Sequence, residues 1–358
     1  MSDPAVYGLI LAGGSGTRFW PLSRDDRPKQ LLRLFDDETL LEKAARRLEA
    51  LIPRENLIVL TNAAQEASVR AILPDLPAVN VISEPERRDT APALALGIAA
   101  VARRSPEAVM VVIPADQLIR DEAGFVRIIE AAVEAARASD ALVTLGIKPT
   151  WGCPSYGYIE RGPRASISGY RHEIPVHEVL RFREKPDADL AEQYFESGAY
   201  SWNAGIFIWT VPAVIRELTR HCPELADFVS ELRHSRDFAA TLAKQFPALT
   251  RISIDYALME KAARVLNIEA DIGWDDVGGW ISIGKYLEQA TGDNAVRGPV
   301  TLLDCYNNVV FGASGRRVAL LGVHDLIVVE TADAILIADK DEADRVKKLV
   351  DQMPPDLR

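Results

Sequence analysis

A glycine-rich stretch near the amino terminus is followed by several cations, a combination suited to binding phosphate. The glycines are Gly13, Gly14 and Gly16, and the cations are Arg18, Arg24, Arg27 and Lys29. Closely spaced glycines allow positive φ and let backbone N–H groups converge on an anion. Neither of the two best-known phosphate loops matches, because Phe19 stands where a dinucleotide fingerprint has glycine and Lys29 comes thirteen residues after Gly16. We therefore expect a triphosphate gripped from the side, with its α-phosphorus open to a nucleophile.

Charged carboxylate residues stand at or near the ends of later apolar segments, where packing of a sheet gives no reason for a charge. Asp116 comes after the run 109–113 and a proline, and Asp275 and Asp276 stand between two tryptophans. Adjacent carboxylates create an anionic centre that something positive has to neutralise. Mg²⁺ is the natural partner, since hard cations prefer oxygen ligands. A turn residue is the structural alternative for Asp116.

Strand-like and helix-like segments alternate through the first 145 residues. The predicted strands are 6–12, 57–60, 79–82, 109–113 and 141–145. The predicted helices are 40–51, 63–73, 90–104 and 125–138. This alternation predicts a parallel or mostly parallel sheet covered on both faces, with ligands at the carboxyl ends of the strands. The glycine stretch, the segment 84–92 and the segment 114–117 all follow such ends.

The pattern changes after Gly146, where glycine, proline and aromatic residues cluster. Strands are predicted at 156–160, 176–182 and 205–209, without regular helices between them. Beyond Gly298, short strands and a closing helix predict a small β-rich, solenoid-like appendage: strands 300–303, 308–311, 318–321, 326–330 and 334–338, and helix 342–351. We divide the chain into 1–290, with halves 1–145 and 146–290, and an appendage 291–358.

The glycine motif as a whole resembles the signature of the sugar-phosphate nucleotidylyltransferases. It reads Gly13-Gly14-x-Gly16-x-Arg18-x-x-Pro21-Leu22, followed by Pro28-Lys29. The stretch from Phe19 to Arg24, with Pro28-Lys29-Gln30, is most similar to the members that act on GTP and mannose 1-phosphate. The resemblance implies an α/β, Rossmann-like fold with a mixed, mostly parallel sheet flanked by helices. It also implies Mg²⁺-assisted transfer of GMP from GTP to α-D-mannose 1-phosphate, with release of pyrophosphate.

The same resemblance assigns residues to both halves of the chain. Arg18 and Lys29 would hold the triphosphate, Asp116 and Asp276 would hold Mg²⁺, and Lys185 would hold the attacking sugar phosphate. The implied nucleotide-binding residues are Ala12, Gly13, Gly14, Gly16, Thr17, Arg18, Lys29, Glu84, Asp89, Thr90 and Asp116. The implied sugar-phosphate-binding residues are Gly157, Glu184, Lys185 and Asn203.

Recognition of the base falls, by resemblance, to the segment 84–92. Guanine presents N–H donors at N1 and N2, so a carboxylate of Glu84 or Asp89 is a sensible acceptor. The family usually has asparagine at the position of Asp89, and Asp89 and Thr90 could equally cap the following helix. Ser253 and Asp255 also have counterparts in the family, but a helix cap explains them, and we leave them out of the predicted site.

The composition limits the partners of the protein. A formal net charge of -11 over 358 residues argues against non-specific binding to nucleic acid or anionic lipid. Cys153, Cys222 and Cys305 are too far apart for a disulfide framework or a zinc site. With no leader-like start and no apolar run of the roughly eighteen residues that a membrane helix needs, we expect a cytoplasmic enzyme. A homodimer is compatible with these features.

Two alternatives remain at this stage. Base and sugar identity rest on resemblance, so another hexose 1-phosphate, or a uridylyl- or thymidylyltransferase, is the enzymatic alternative. A silent regulatory subunit is the other, although such a protein would be free to lose the four charged residues Arg18, Lys29, Asp116 and Asp276. Some relatives continue into a phosphomannose isomerase domain, and because this chain ends at Arg358 we expect that activity to be absent.

Overall fold

The main feature of the computed structural model, which describes residues 4–14 and 16–358, is a nine-stranded sheet. The strands of the first 275 residues are β1 (Val6–Leu11), β2 (Leu57–Asn62), β3 (Val81–Glu84), β4 (Val109–Pro114), β5 (Leu118–Ile119), β6 (Leu142–Ile147), β7 (Gly157–Arg164), β8 (His177–Glu184), β9 (Tyr200–Thr210), β10 (Val265–Ala270) and β11 (Trp274–Asp275). The order in the sheet is β3-β2-β1-β4-β9-β6-β10-β8-β7, while β5 and β11 form a separate pair.

Most strands of this sheet run in one direction. The strands β3, β2, β1 and β4 are mutually parallel, and β9 is antiparallel to both β4 and β6. Because β6 is parallel to β10 and β7 is antiparallel to β8 and β9, only β8 and β9 oppose the other seven. The mixed, mostly parallel sheet is therefore confirmed, and the carboxyl ends of β1, β3 and β4 meet at one edge.

Helices cover both faces of the sheet. They are α1 (Leu40–Glu49), α2 (Glu66–Ile72), α3 (Thr90–Arg104), α4 (Glu122–Ser139), α5 (Ala188–Ser197), α6 (Val211–His221), α7 (Pro223–His234), α8 (Phe238–Gln245), α9 (Trp280–Gly284) and α10 (Val346–Val350). One apolar core lies on each face: Ile10 of β1 faces α1 and α4, whereas its neighbour Leu9 faces α3. Gly97 lets α3 approach β1, since an added Cβ would stand 2.3 Å from Leu9 Cδ2. Alternate β1 side chains therefore anchor helices on opposite faces.

The four helices predicted before residue 145 are confirmed, but the second half differs from its prediction. The start of α1 has a capping box, in which the Glu42 N–H donates to Thr39 Oγ1 at 3.1 Å. The expectation that no regular helix lies between the three strands after Gly146 is wrong, because α5 separates β8 from β9. Three further helices, α6, α7 and α8, follow β9 and had no counterpart in the prediction. Local signals were available for α6, where Thr210 caps the helix and a proline stands in its first turn.

The carboxyl-terminal part is β-rich and solenoid-like, as predicted. Its strands are β12 (Glu288–Ala290), β13 (Asn294–Arg297), β14 (Val300–Leu303), β15 (Val309–Gly312), β16 (Val318–Leu321), β17 (Leu326–Glu330) and β18 (Ile335–Asp339). They form a five-stranded sheet, β12-β13-β15-β17-β18, and the parallel pair β14-β16. The predicted helix 342–351 is a 3₁₀ turn, Lys340–Arg345, followed by α10.

Division of the chain into domains stays a proposal. The boundary proposed at 290/291 falls between β12 and β13, two paired strands of one sheet. The halves 1–145 and 146–290 share the nine-stranded sheet, since β9 of the second half lies between β4 and β6. Within the described residues, 4–14 and 16–358, we find no helix with the length and apolar character needed to cross a membrane.

Candidate active site

The loop after β1 is folded back on itself through a glycine. We call residues 16–34 the signature loop. Gly16 has φ 58°, and an added Cβ would stand 2.3 Å from the backbone nitrogen of Lys29. Gln30 Nε2 donates to the carbonyl oxygens of Ala12 at 2.8 Å and Gly14 at 3.2 Å. Gly16 therefore permits the close approach that brings Lys29 back towards the end of β1.

Two glutamines that hold the glycine stretch were missing from the predicted site. Gln30 and Gln65 are both buried, and Gln65 Nε2 also donates to the carbonyl oxygen of Gly14, at 3.1 Å. Gln30 belongs to the motif that carried the family resemblance, so its position was a usable signal. Gln65 lies far along the sequence, just before α2, and carried none.

A cluster of opposite charges lies where β4, the signature loop and the segment after β11 meet. Lys29 is buried, and its Nζ lies 3.0 Å from Asp116 Oδ2. The same ammonium donates to the backbone carbonyl of Asp276. Burial raises the pKa of the Asp276 carboxyl to about 6; the ammonium of Lys29 opposes this shift, and the carboxylate of Asp116 adds to it. The structure thus brings together three of the predicted catalytic residues, with more negative charge than Lys29 offsets.

The two adjacent aspartates have different surroundings. Asp275 accepts the N–H of Val277 through Oδ1 and the hydroxyl of Tyr286 through Oδ2, both at 2.7 Å. Val277 has φ 50°, so the backbone turns sharply directly after Asp276. Arg18 Nη1 closes the turn by donating to the carbonyl oxygen of Gly278 at 3.1 Å. Asp275 therefore holds the turn, while Asp276 lies in the charge cluster.

The chemistry of this cluster fits a hard divalent cation. Asp116 and Asp276 offer carboxylate oxygens, and the pKa of Asp276 is raised chiefly by burial and further by the neighbouring carboxylates of Asp116 and Asp275, which a bound cation would offset. The described residues hold no group of three or more His, Cys, Asp and Glu side chains suited to a metal ion. Mg²⁺ that is bound largely through substrate phosphates needs only one or two carboxylates from the protein.

The residues predicted to contact the base lie at the carboxyl end of β3. Glu84 is beside Gly13, where an added Cβ would stand 3.3 Å from Glu84 Oε1. Burial raises the pKa of Glu84 to about 7, and none of the described residues donates a hydrogen bond to its carboxylate. Asp89 instead caps α3, accepting the N–H of Thr90 at 2.8 Å, and Thr90 Oγ1 accepts the N–H of Ile254 at 2.9 Å. Of the two candidate carboxylates, Glu84 is the one without a structural hydrogen bond.

The opposite side of the site is built around Asn203. Its Nδ2 donates to Asp255 Oδ1 at 2.7 Å, and its Oδ1 accepts the N–H of Gly205 at 3.1 Å. Burial raises the pKa of Asp255, and the hydrogen bond from Asn203 acts in the opposite direction. The Thr90 contact ties down the turn Asp255–Met259 that carries this carboxylate. Asp255, which the sequence analysis explained as a helix cap, thus lies in the site.

The remaining sugar-side residues lie on β7 and at the end of β8. Glu184 packs against Gly157, where an added Cβ would stand 2.6 Å from Glu184 Oε2. Lys185 is largely exposed, with φ 44°, and its Nζ lies 3.2 Å from Glu184 Oε1. A side chain at position 157 would therefore displace the Glu184 carboxylate.

These parts surround one open cleft of about 950 Å³. Seven predicted site residues line it: Arg18, Asp116, Gly157, Glu184, Lys185, Asn203 and Asp276. An aromatic wall that was not predicted joins them, in which Tyr156 lies edge-on to Trp202 at 5.2 Å and to Trp274 at 5.4 Å. Among the described residues, the other predicted site residues are not part of this lining: Ala12, Gly13, Gly14, Gly16, Thr17, Lys29, Glu84, Asp89 and Thr90. The cleft therefore unites Arg18 and the two aspartates of the charge cluster with the sugar-side residues, and the rest of the predicted nucleotide side lies outside its lining.

Comparison with known proteins gives two family matches. Residues 7–292 match the model described as nucleotidyl transferase. Residues 298–353 match the model described as a MannoseP isomerase/GMP-like beta-helix domain.

Similar proteins cover nearly the whole chain. The chain is 37% identical to a mannose-1-phosphate guanylyltransferase of Escherichia coli K12, over 100% of the chain and 75% of that protein. It is 36% identical to the xanthan biosynthesis protein XanB of Xanthomonas campestris pv. campestris, over 99% of the chain and 74% of that protein. A Thermus thermophilus structure described as a "mannose-1-phosphate geranyltransferase" superposes with a TM-score of 0.85 at 34% identity, covering 97% of this chain and 98% of that one. As its signature motif predicted, the chain belongs to the nucleotidyl transferase family.

Proposed function

We propose that this protein transfers GMP from GTP to α-D-mannose 1-phosphate, giving GDP-mannose and pyrophosphate. The observation that carries the proposal is the cleft itself, which Asp116 and Asp276 line together with Asn203 and Glu184. Lys29 binds Asp116 at 3.0 Å without lining the cleft. A phosphate-handling centre and a hydroxyl-handling centre in one cavity suit the joining of a nucleotide to a sugar phosphate. Relatives named mannose-1-phosphate guanylyltransferase support the choice of base and sugar.

The reaction needs positioning and charge neutralisation rather than a covalent intermediate. A phosphate oxygen of mannose 1-phosphate attacks the α-phosphorus of GTP, and the bond to the leaving pyrophosphate breaks as the new P–O bond forms. Arg18 and Lys29 offset the charge of the triphosphate, and the exposed ammonium of Lys185 orients the attacking phosphate. The backbone of Gly13, Gly14 and Gly16 lines the phosphates, together with Ala12 and Thr17.

Recognition of the two organic groups is assigned to opposite sides of the site. Glu84 accepts the guanine N–H donors, because its carboxylate has no hydrogen-bond donor among the described residues. Asp89 and Thr90 support the base indirectly, through the start of α3. Asn203 and Glu184 bind hydroxyl groups of the hexose, and Gly157 lets the Glu184 carboxylate approach.

A divalent metal is part of this proposal. Proteins of this family use a divalent cation, and we assign Mg²⁺, with Asp116 and Asp276 as its protein ligands. Bound there, the cation would neutralise phosphate charge. Lys29 binds the Asp116 carboxylate and the backbone carbonyl of Asp276, so it ties the end of β4 to the turn that carries Asp276.

The test is a matrix of nucleoside triphosphates against sugar 1-phosphates, read by pyrophosphate release. We expect GTP with mannose 1-phosphate to exceed every other pair. A higher rate with another hexose 1-phosphate, or with UTP or dTTP, would assign the alternative transferase activity. Absence of turnover with every pair would point to the regulatory alternative.

Location and assembly stay predictions. The free thiols of Cys153, Cys222 and Cys305 are compatible with a reducing compartment, in line with the predicted cytoplasmic location. The predicted homodimer can be tested by sedimentation of the full chain.

A further inference from the structure

The signature loop carries Arg18 and Lys29 but contains little regular structure. Within the described residues it has two 3₁₀ turns, Thr17–Phe19 and Lys29–Leu31, and no strand or α-helix. Its own hydrogen bonds are short-range, such as that from the Phe19 N–H to the carbonyl oxygen of Gly16 at 3.0 Å, so they fix the local turns but not the position of the loop against the rest of the protein. The neighbours of the loop therefore decide where its two cations lie.

An ion pair joins this loop to the β-rich carboxyl-terminal part, residues 291–358, which we call the carboxyl-terminal domain. Arg24 is largely buried, and its Nη2 lies 2.9 Å from Asp333 Oδ2. Through Nη1 the same guanidinium donates to the carbonyl oxygens of Pro21 and Ser23, so it fixes the backbone of the loop. The second oxygen of Asp333 accepts the hydroxyl of Thr331 at 2.8 Å. Asp333 is thus oriented by its own domain and holds the side chain that organises the loop.

The end of the chain provides two more contacts. Trp20 Nε1 donates to the carbonyl oxygen of Leu357 at 2.7 Å. The Asp25 N–H donates to the carbonyl oxygen of Arg358 at 3.1 Å. Trp20 and Asp25 lie between Arg18 and Lys29 in the sequence. Their bonds to the end of the chain therefore hold the segment that connects the two cations.

A shared apolar core continues the same connection. Phe19, which follows Arg18, lies edge-on to Trp280 at 5.4 Å, and Trp280 packs against Phe311 of β15 at 5.2 Å. Val346 and Val350 of α10 belong to the same buried cluster. The signature loop and the carboxyl-terminal domain therefore form one packed unit.

We propose that the carboxyl-terminal domain positions the signature loop for binding of the nucleotide triphosphate, and that Asp333 is a positioning residue acting through Arg24. The domain thereby takes part in the reaction without touching substrate. The expected change in GTP kinetics rests on the proposed function. The expected change in the position of the signature loop does not. Asp333 is about half exposed, and the Arg24 guanidinium keeps its bonds to the carbonyl oxygens of Pro21 and Ser23 without it, so losing this ion pair should cost less folding stability than breaking a fully buried one. A positioning role is therefore separable from a general structural one.

The test compares Asp333→Ala with two matched variants of the full chain. Asp341→Ala removes the same charge from the same domain, at an exposed side chain for which no ion pair or hydrogen bond is found among the described residues. Asp333→Glu keeps the carboxylate. A fourth variant lacks residues 354–358, which removes both backbone acceptors. Hydrogen–deuterium exchange of residues 16–34 and steady-state kinetics in each substrate are measured, together with the unfolding temperature.

For Asp333→Ala we expect exchange in the signature loop to rise about threefold while peptides from β2 and β4 are unchanged. We also expect kcat/KM for GTP to fall about fivefold, with KM for mannose 1-phosphate unchanged. Shortening the chain should enlarge both effects, and Asp333→Glu should restore part of them.

The inference is overturned if Asp333→Ala behaves like Asp341→Ala in either exchange or GTP kinetics. It is overturned equally if both substrates are affected alike, since that would indicate a general loss of structure. Should the wild type show no turnover with GTP and mannose 1-phosphate, the proposed function fails. The exchange measurement would still decide whether the domain holds the loop.

Discussion

The two ends of the cleft are organised by different interactions. At the phosphate end, Lys29 lies between Asp116 and the backbone of Asp276, and the local charge is unbalanced. At the sugar end, Asn203 has a donor bonded to Asp255 and an acceptor bonded to Gly205, so the amide is already oriented. Binding at a charged centre depends mainly on the charge of the ligand. Binding at an oriented amide depends mainly on where the ligand places its hydrogen-bonding groups. The first end should therefore govern turnover and metal dependence, and the second should govern affinity for the sugar.

The largest expected effect separates the neighbouring aspartates at the phosphate end. We expect Asp276→Asn to lower turnover at saturating substrates by about a hundredfold or more and to shift the magnesium requirement upwards. Asp275→Asn should change both only modestly, since an asparagine oxygen can still accept the N–H of Val277. The measurement is turnover as a function of Mg²⁺ concentration, for the wild type and both variants. If Asp275→Asn proves the more damaging, the assignment of the metal ligand is wrong.

Replacing the buried lysine tests the charge balance from the other side. We expect Lys29→Ala to cost about 2 to 4 kcal/mol of transition-state stabilisation in kcat/KM for GTP, because the triphosphate loses a cation and the two aspartates lose theirs. Lys244→Ala, at an exposed position of α8, is the control. Circular dichroism verifies that both variants fold. Near-normal turnover of folded Lys29→Ala would remove Lys29 from the mechanism.

The sugar end should respond in KM rather than in turnover. We expect Asp255→Asn and Asn203→Ala each to raise KM for mannose 1-phosphate about tenfold and to leave KM for GTP unchanged, since both disturb the orientation of one amide. The double variant should cost less than the sum of the two, because the pair shares one hydrogen bond. Asp227→Asn, on the exposed face of α7, serves as the control. An effect confined to GTP would place these residues in the nucleotide site.

The last prediction concerns folding stability rather than catalysis, at Glu84. Its pKa is raised from 4.5 to about 7 in the folded protein, so its stabilising contribution is fully present below pH 4.5 and is lost as the pH rises through 7. Glu84→Gln removes the buried charge. Its free energy of unfolding at pH 8 should therefore exceed that of the wild type by about 3 kcal/mol, with no difference below pH 4.5.

Chemical denaturation at the two pH values provides the comparison. Glu86→Gln is the matched control, since Glu86 is exposed and paired with Arg88 at 2.7 Å. A gain for Glu84→Gln that is the same at both pH values would contradict the assigned cause.

Much of the site was predictable where the signal was local. The run 6–12, the glycines after it and the charges at Asp116 and Asp276 led to the proposed phosphate end from sequence alone, because a strand, a glycine turn and a charge after a strand are properties of neighbouring residues. The family resemblance extended this to the reaction and to the sugar side. Helix α3 was predicted with its observed ends, Thr90 and Arg104.

What the sequence did not reveal are contacts between distant segments. The carboxylate of Asp255 looked like a helix cap, and only the tertiary structure places it on Asn203, 52 residues away. The residue types of Asp275 and Asp276 do not distinguish them, and only the family resemblance selected Asp276. The tertiary structure adds the physical difference: Asp275 accepts the hydroxyl of Tyr286, whereas Asp276 is buried beside Lys29.

The sequence by itself determined the signature loop, the parallel part of the sheet and the character of the carboxyl-terminal strands, because each depends on residue types within a few positions. The tertiary structure decided that this β-rich part packs against the signature loop, where Trp20 and Leu357 meet across 337 residues. Such a contact depends on the order of strands in the sheet and on the faces that they bury. Neither quantity is encoded in any short stretch of the chain.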